Sequence, residues 1–248
     1  MKIEITNLTK KFGEKTAVEI DSFTVNRGDI LGLVGNNGAG KTTLFRLILD
    51  LLKADTGNVS LVVPLSEGEN PTFQTINPTE SESWKAFTGA YIDEGFLIDF
   101  LTPEEYFQFI GKVNDLPKEE TDARLEEFTH LMGGEIMGQK KLLRNFSAGN
   151  KQKVGIISAM LNRPKLLILD EPFNFLDPSS QTILKHLLTE YNKQTGATIV
   201  ISSHNLAHTI DISTRIALLE HGHIIRDIDN HDKSAEKELQ EYFDRAAY

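Results

Sequence analysis

The sequence predicts an α/β fold, a mainly parallel sheet flanked by helices, with an antiparallel β region and an inserted helical lobe. Three observations predict it. The compact apolar run Ile30-Leu31-Gly32-Leu33-Val34 ends at Gly35 and is followed by residues 41–52, where Leu44, Leu47, Ile48 and Leu51 fall on one face at helical spacing. Two further strand-sized apolar runs, residues 166–169 and 198–202, bracket a helix-type segment at 179–191, and strand-helix-strand at this spacing implies parallel pairing. Residues 2–25 and 58–63 alternate in the antiparallel manner, whereas 102–142 is mainly helical, with Pro103 suited to a first helical turn.

The remaining segments follow from composition. Residues 64–83 are polar, contain Pro71 and Pro78, and read as loop. The tail, 233–248, reads as a charged amphipathic helix covering an edge of the core. The expected division is one domain over 1–228, with the helical lobe at about 96–160 inserted in it, and a C-terminal helical tail over 229–248. The 248 residues include no cysteine, which excludes disulfides and Cys-based metal sites and fits a reducing compartment. A net charge of −10 argues against nonspecific nucleic-acid binding, and no nucleic-acid partner is expected. The N-terminal stretch reads as a polar strand rather than a signal peptide, and no apolar run approaches the roughly 20 residues that span a bilayer. Any membrane channel must come from another chain.

The strongest motif is Gly35-Asn36-Asn37-Gly38-Ala39-Gly40-Lys41-Thr42, which matches G-x-x-x-x-G-K-[ST] and lies between an apolar strand and a helix start. The glycines let backbone N–H groups turn inward around phosphate oxygens, and the helix N-terminus adds free donors and a favourable dipole. Lys41 is the candidate for the β- and γ-phosphates, and the Thr42 hydroxyl, followed by Thr43, for Mg²⁺. Leu166-Leu167-Ile168-Leu169-Asp170-Glu171 is an apolar strand ending in two carboxylates, which packing does not require. Asp170 is the candidate beside Mg²⁺, and Glu171 the candidate general base or water-orienting group.

Further motifs in fixed order bring the resemblance to the ATP-binding subunits of ABC transporters. Phe146-Ser147-Ala148-Gly149-Asn150-Lys151-Gln152-Lys153 resembles the ABC signature, Asn174-Phe175-Leu176-Asp177 the D-loop, and Ser203-His204 the switch histidine. Phe12 stands where the family has an aromatic that stacks on adenine. The resemblance runs from Ile3 to about Ile228. It implies an ATPase core of the ABC type that binds ATP with Mg²⁺. It also implies that Ser147, Gly149 and Asp177 meet nucleotide across a dimer, and that His204 helps Glu171 hold the attacking water. The implied partners are a transmembrane permease subunit and a second ATPase chain, as homodimer or heterodimer. The implied location is the cytoplasmic face of a membrane, through the permease.

The sequence departs from the family pattern in two places. Phe146, Ala148 and Asn150 replace the usual signature leucine, first glycine and glutamine, while Ser147 and Gly149 are kept. At the Q-loop, Asp93 falls where the family has glutamine, in register with Gly89 to Phe96, and a shift of one residue would put Glu94 there. An acid at this place resembles a branch of drug and peptide exporters and makes Asp93 a candidate near Mg²⁺. The leading expectation is therefore export. The alternative is a soluble ABC-type ATPase acting on ribosomes or DNA, which the single cassette and the lack of sustained heptads between Lys41 and Ser147 disfavour. His221-Gly222-His223 reads as a hairpin turn rather than a metal site.

Overall fold

The computed structural model describes residues 1–66, 72–233, 235–236 and 238–239. The chain runs through β1 (Lys2–Phe12), β2 (Lys15–Val25), β3 (Ile30–Val34), α1 (Lys41–Ile48), β4 (Thr56–Pro64), β5 (Phe73–Ile76) and β6 (Thr88–Tyr91). It continues through α2 (Pro103–Val113), α3 (Lys118–Glu126), α4 (Thr129–Met132), α5 (Ala148–Met160), β7 (Leu166–Leu169) and α6 (Pro178–Thr195). It ends with β8 (Thr198–Ser203), α7 (Leu206–Ile212), β9 (Arg215–Glu220) and β10 (His223–Asp229).

Two sheets organise these elements. The larger has the order β10-β9-β3-β8-β7-β6, parallel throughout except for the β9–β10 edge pair. The smaller, β2-β1-β4-β5, is antiparallel. Every residue of β3, β7 and β8 is buried, as expected of strands covered on both faces. Alternation along β7 divides the core. Leu166 and Ile168 pack with α1 and the antiparallel sheet, whereas Leu167 and Leu169 pack with the helical lobe and α6. α1 is thus held between the two sheets by Leu44, Phe45, Leu47 and Ile48. Phe45 is fully buried, a contribution of about 2–3 kcal/mol by area.

The helical lobe begins at a capping box. The Thr102 hydroxyl accepts from Glu105 N–H, the Glu105 carboxylate accepts from Thr102 N–H, and Pro103 opens the first turn. Its centre is Phe107, Leu131, Ile136 and Leu143, all essentially inaccessible.

Two expectations need correction. Residues 64–83 are not all loop, since β5 pairs with β4 at the open edge of the small sheet. The helix expected over 41–52 ends at Ile48; Asp50 follows with φ 51°, and Leu51 is left half-exposed rather than on the buried face. The start of the tail fits an amphipathic helix over a core edge: Ala235 and Leu239 are helical and fully buried against Val34, Ile210 and Leu218, whereas Glu236 and Glu238 are exposed; residues 234, 237 and 240–248 lie outside the described residues. His221-Gly222-His223 forms the β9–β10 turn, with positive φ at His221 and Gly222 as a two-residue hairpin loop requires. Among the described residues no group of three or more His, Cys, Asp or Glu could hold a metal, and no helix is long and apolar enough to cross a membrane.

Candidate nucleotide site

The phosphate loop crosses the C-terminal end of β3 and enters α1 at Gly40, whose φ of 114° is open to glycine. A Cβ there would lie 2.3 Å from the Ala17 carbonyl oxygen, so a side chain would push the loop off β2. Lys41 is buried, with Nζ donating to the carbonyls of Gly35 (2.6 Å) and Asn36 (3.4 Å) and lying 3.4 Å from Glu171 Oε1. A cavity beside the loop is lined by Phe12, Lys15, Ala17, residues 37–43 and Glu171. It brings the half-exposed Phe12 ring to the same opening as Asn37, Gly38, Ala39, Gly40, Lys41, Thr42 and Thr43. Gly35 and Asn36 line an adjoining cavity together with Lys15 and His221.

Asp170, just past the end of β7, is buried between two hydroxyls: Thr42 Oγ1 donates to one carboxylate oxygen and Ser202 Oγ to the other. Burial pushes its carboxyl above the ordinary range, the two hydroxyl donors oppose that, and the neighbouring Glu171 charge adds to it. Glu171 itself adopts φ 47°, a left-handed conformation costly for a side-chain-bearing residue. Its N–H donates to Ser202 Oγ (2.8 Å), and its carbonyl accepts from Gln152 Nε2 (2.9 Å). Its carboxylate Oε2 lies 2.9 Å from His204 Nδ1 and accepts from His204 N–H at 3.2 Å. Lys41, Thr42, Asp170, Glu171 and His204, drawn from three separate stretches of chain, thus form one connected cluster.

The donors suit a hard cation. The Thr42 hydroxyl and the Asp170 carboxylate are adjacent oxygen ligands, and Asp170 is a buried acid whose ionised form a cation would favour; Mg²⁺ typically takes one or two such groups plus phosphate oxygens. Asp93 lines a second cavity with Asp170 and Glu171, but its carboxylate is directed elsewhere. One oxygen accepts from Gly95 N–H (2.8 Å) and the other meets Arg46 Nη2 on α1 (3.2 Å). The neighbouring Glu94 turns the opposite way, to Lys151 on α5 (3.2 Å).

The signature and D-loop segments adjoin this cluster through the second cavity, which Ala148, Gln152, Asn174 and Phe175 line with Asp170 and Glu171. Ser147 caps α5 by accepting from Asn150 N–H (3.2 Å). Gly149 is required by a close approach within the chain, since a Cβ there would lie 2.5 Å from the Phe175 carbonyl oxygen. Asp177 caps α6 through Ser180 N–H (3.0 Å) and the Ser180 hydroxyl, which hold its carboxyl below the usual range. Ser147, Gly149 and Asp177 are not among the described residues lining the phosphate-loop cavity. Sequence reading missed Ser202, Gln152 and Arg46. For Ser202 a signal existed, a serine pair ending an otherwise apolar strand; for Arg46 there was none.

The family model for ABC transporters matches residues 18–174. The chain belongs to the ABC transporter family. It is an ATP-binding subunit of that family and an ATPase. It is 32% identical over 241 residues (96% of this chain, 73% of the relative) to an uncharacterised ABC transporter ATP-binding protein, YdbJ, of Bacillus subtilis. It is 33% identical over 227 residues (91% and 68%) to the bacitracin transport ATP-binding protein BcrA of Enterococcus faecalis. It is 32% identical over 226 residues (91% and 60%) to the methionine import ATP-binding protein MetN of Rhizobium johnstonii. Among solved structures, the ATP-binding subunit of an ABC transporter superposes with TM-score 0.82 at 25% identity over the whole of both chains. A dimeric post-hydrolysis ATP-binding cassette with ADP and Pi superposes with TM-score 0.76 at 22% identity, covering 92% of this chain and 98% of that one, and shares the fold.

Proposed function

We propose that this ABC ATPase powers export through a separate membrane permease, by closing as a dimer around ATP at the cytoplasmic face of a membrane. The observation that carries the reading is the junction of the phosphate loop with the two strand-end acids, where Lys41 and His204 both face Glu171. In this reading Phe12 stacks on adenine, and backbone N–H groups of residues 35–43 surround the phosphates. Lys41 exchanges its bonds to the Gly35 and Asn36 carbonyls for phosphate oxygens. Thr42 and Asp170 hold Mg²⁺, which when bound neutralises charge on the β- and γ-phosphates. Glu171 accepts the proton of, or orients, the attacking water, and His204 keeps that carboxylate aimed at the γ-phosphate.

Ser147 and Gly149 stand outside the phosphate-loop cavity, in keeping with a role against the nucleotide of a second chain, identical or not, with Asp177 at the same junction. The permease contact falls on the helical lobe, which among the described residues exposes Phe96, Phe100, Phe109 and Val113. Export rather than import rests on the acid at Asp93. In Glu171→Gln the shape of the site is kept and the carboxylate is lost, so ATP is bound but not consumed. Sedimentation with ATP then shows more dimer for the variant than for wild type. A variant that hydrolyses ATP at the wild-type rate removes the assigned role of Glu171.

A further inference from the structure

Glu171 stands at a left-handed φ of 47°, a backbone state that persists only where its surroundings hold it. Two buried polar side chains do so. Glu171 N–H donates to Ser202 Oγ at 2.8 Å, and Gln152 Nε2 donates to the Glu171 carbonyl at 2.9 Å. Ser202 also bonds Asp170 and belongs to the same end of the central sheet. Gln152 does not. It comes from α5, the helix that Ser147 caps, little more than one turn inside it, and is about 5% exposed. A buried amide in an otherwise packed helix face is costly to keep unless its hydrogen bond is used. Here that bond ends on the carbonyl of Glu171 itself and so helps hold the left-handed backbone from which its carboxylate extends. The same helix start is seated on the chain beyond Glu171, where Gly149 meets the Phe175 carbonyl and Phe175 itself has φ 61°.

We propose that Gln152 is the positioning residue for Glu171, so that the signature helix, through this side chain, sets the general base of its own chain. This deepens the reading of Glu171 as general base and rests on it. Because Ser147 and Gly149 face a second chain's nucleotide in that reading, a shift of α5 as it engages that nucleotide is carried to the Glu171 peptide. Occupancy of one site then adjusts chemistry at the other without any change at the phosphate loop. Gln152 touches no substrate; it acts through the peptide it holds.

The test uses the full-length chain and Gln152→Met, which keeps the side chain's length and removes the donor, with Glu171→Gln and the double variant alongside. The expected result is a fall in kcat of about 10- to 100-fold, the scale of a reacting group displaced by about 1 Å, with ATP affinity and melting temperature near wild type. The double variant turns over no more slowly than Glu171→Gln alone, since a misaimed base and a missing base are the same loss. Wild-type turnover in Gln152→Met, with Glu171→Gln inactive, overturns the inference and leaves the base in place. A parallel loss of affinity and melting temperature shows a packing role and also overturns it. Normal turnover in Glu171→Gln removes the base itself, and the inference with it.

Discussion

Replacing Asp170 by Asn should make the nucleotide-free chain more stable while abolishing ATP turnover. The carboxylate is buried, and the two hydroxyls that donate to it do not fully offset the loss of hydration, so its carboxyl is raised. Every tenfold bias toward the neutral carboxyl is about 1.4 kcal/mol of penalty on the ionised form. An amide occupies the same space, removes that penalty, and can keep both contacts. Its oxygen accepts from Ser202, whose own acceptor side is taken by Glu171 N–H, and its NH₂ faces Thr42, whose hydroxyl turns to accept. For a chain of this size each kcal/mol of that penalty is about 2–4 °C, so the variant should melt above wild type at neutral pH. The sign of the pH dependence follows from a folded carboxyl that holds its proton to higher pH than the unfolded one. The penalty on wild type is full at neutral pH, shrinks as pH falls through the folded value, and is gone below the unfolded value. Thermal melts of both chains without nucleotide, from neutral into the acid range, measure this gap. A variant less stable than wild type at neutral pH, or a gap that does not narrow on acidification, refutes the reasoning.

Two further perturbations bear on the site. Lys41→Ala removes a buried ammonium that serves the phosphates in the proposed complex; ATP affinity should fall on the order of 10- to 100-fold and turnover should stop, as read by titration and phosphate release, and unchanged values would clear Lys41 of that role. Asp93→Ala breaks a half-exposed pair with Arg46 worth at most about 1 kcal/mol, so ATP affinity should stay near wild type while stimulation by the membrane subunit is lost. If Glu94→Ala loses stimulation and Asp93→Ala does not, Glu94 is the coupling acid; if neither does, the loop does not couple.

The α/β core and the phosphate loop were legible because their signals are local. An apolar run, a glycine-rich octapeptide and helical spacing each lie within a dozen residues. The strand-end acids were legible for a related reason, since nothing in the packing of β7 asks for them. What stayed hidden depends on residues meeting across the chain. Nothing beside Arg46 or Asp93 in sequence announces that they pair, nor that Glu94 turns to α5 instead. Gln152 reads as one more polar residue on a helix until the fold puts the Glu171 carbonyl against it. β5 was missed because three of its four residues are exposed, so a short edge strand carries almost no hydrophobic pattern to read.

The β9–β10 turn touches the phosphate loop directly. Gly222 N–H donates to the Ala39 carbonyl (2.9 Å), its own carbonyl accepts from Glu19 N–H (2.8 Å), and Gly35 lies so close to the Leu219 carbonyl that a Cβ would come within 2.3 Å. The loop's outer wall is therefore built by chain that follows it by some 180 residues. During synthesis, a ribosome-bound chain carries the phosphate-loop sequence long before it can hold the phosphate-loop shape. Nascent chains that stop short of this hairpin have the lysine and the glycines but no finished cradle. The order in which the polypeptide emerges thus leaves the loop without these contacts until the hairpin has followed it out.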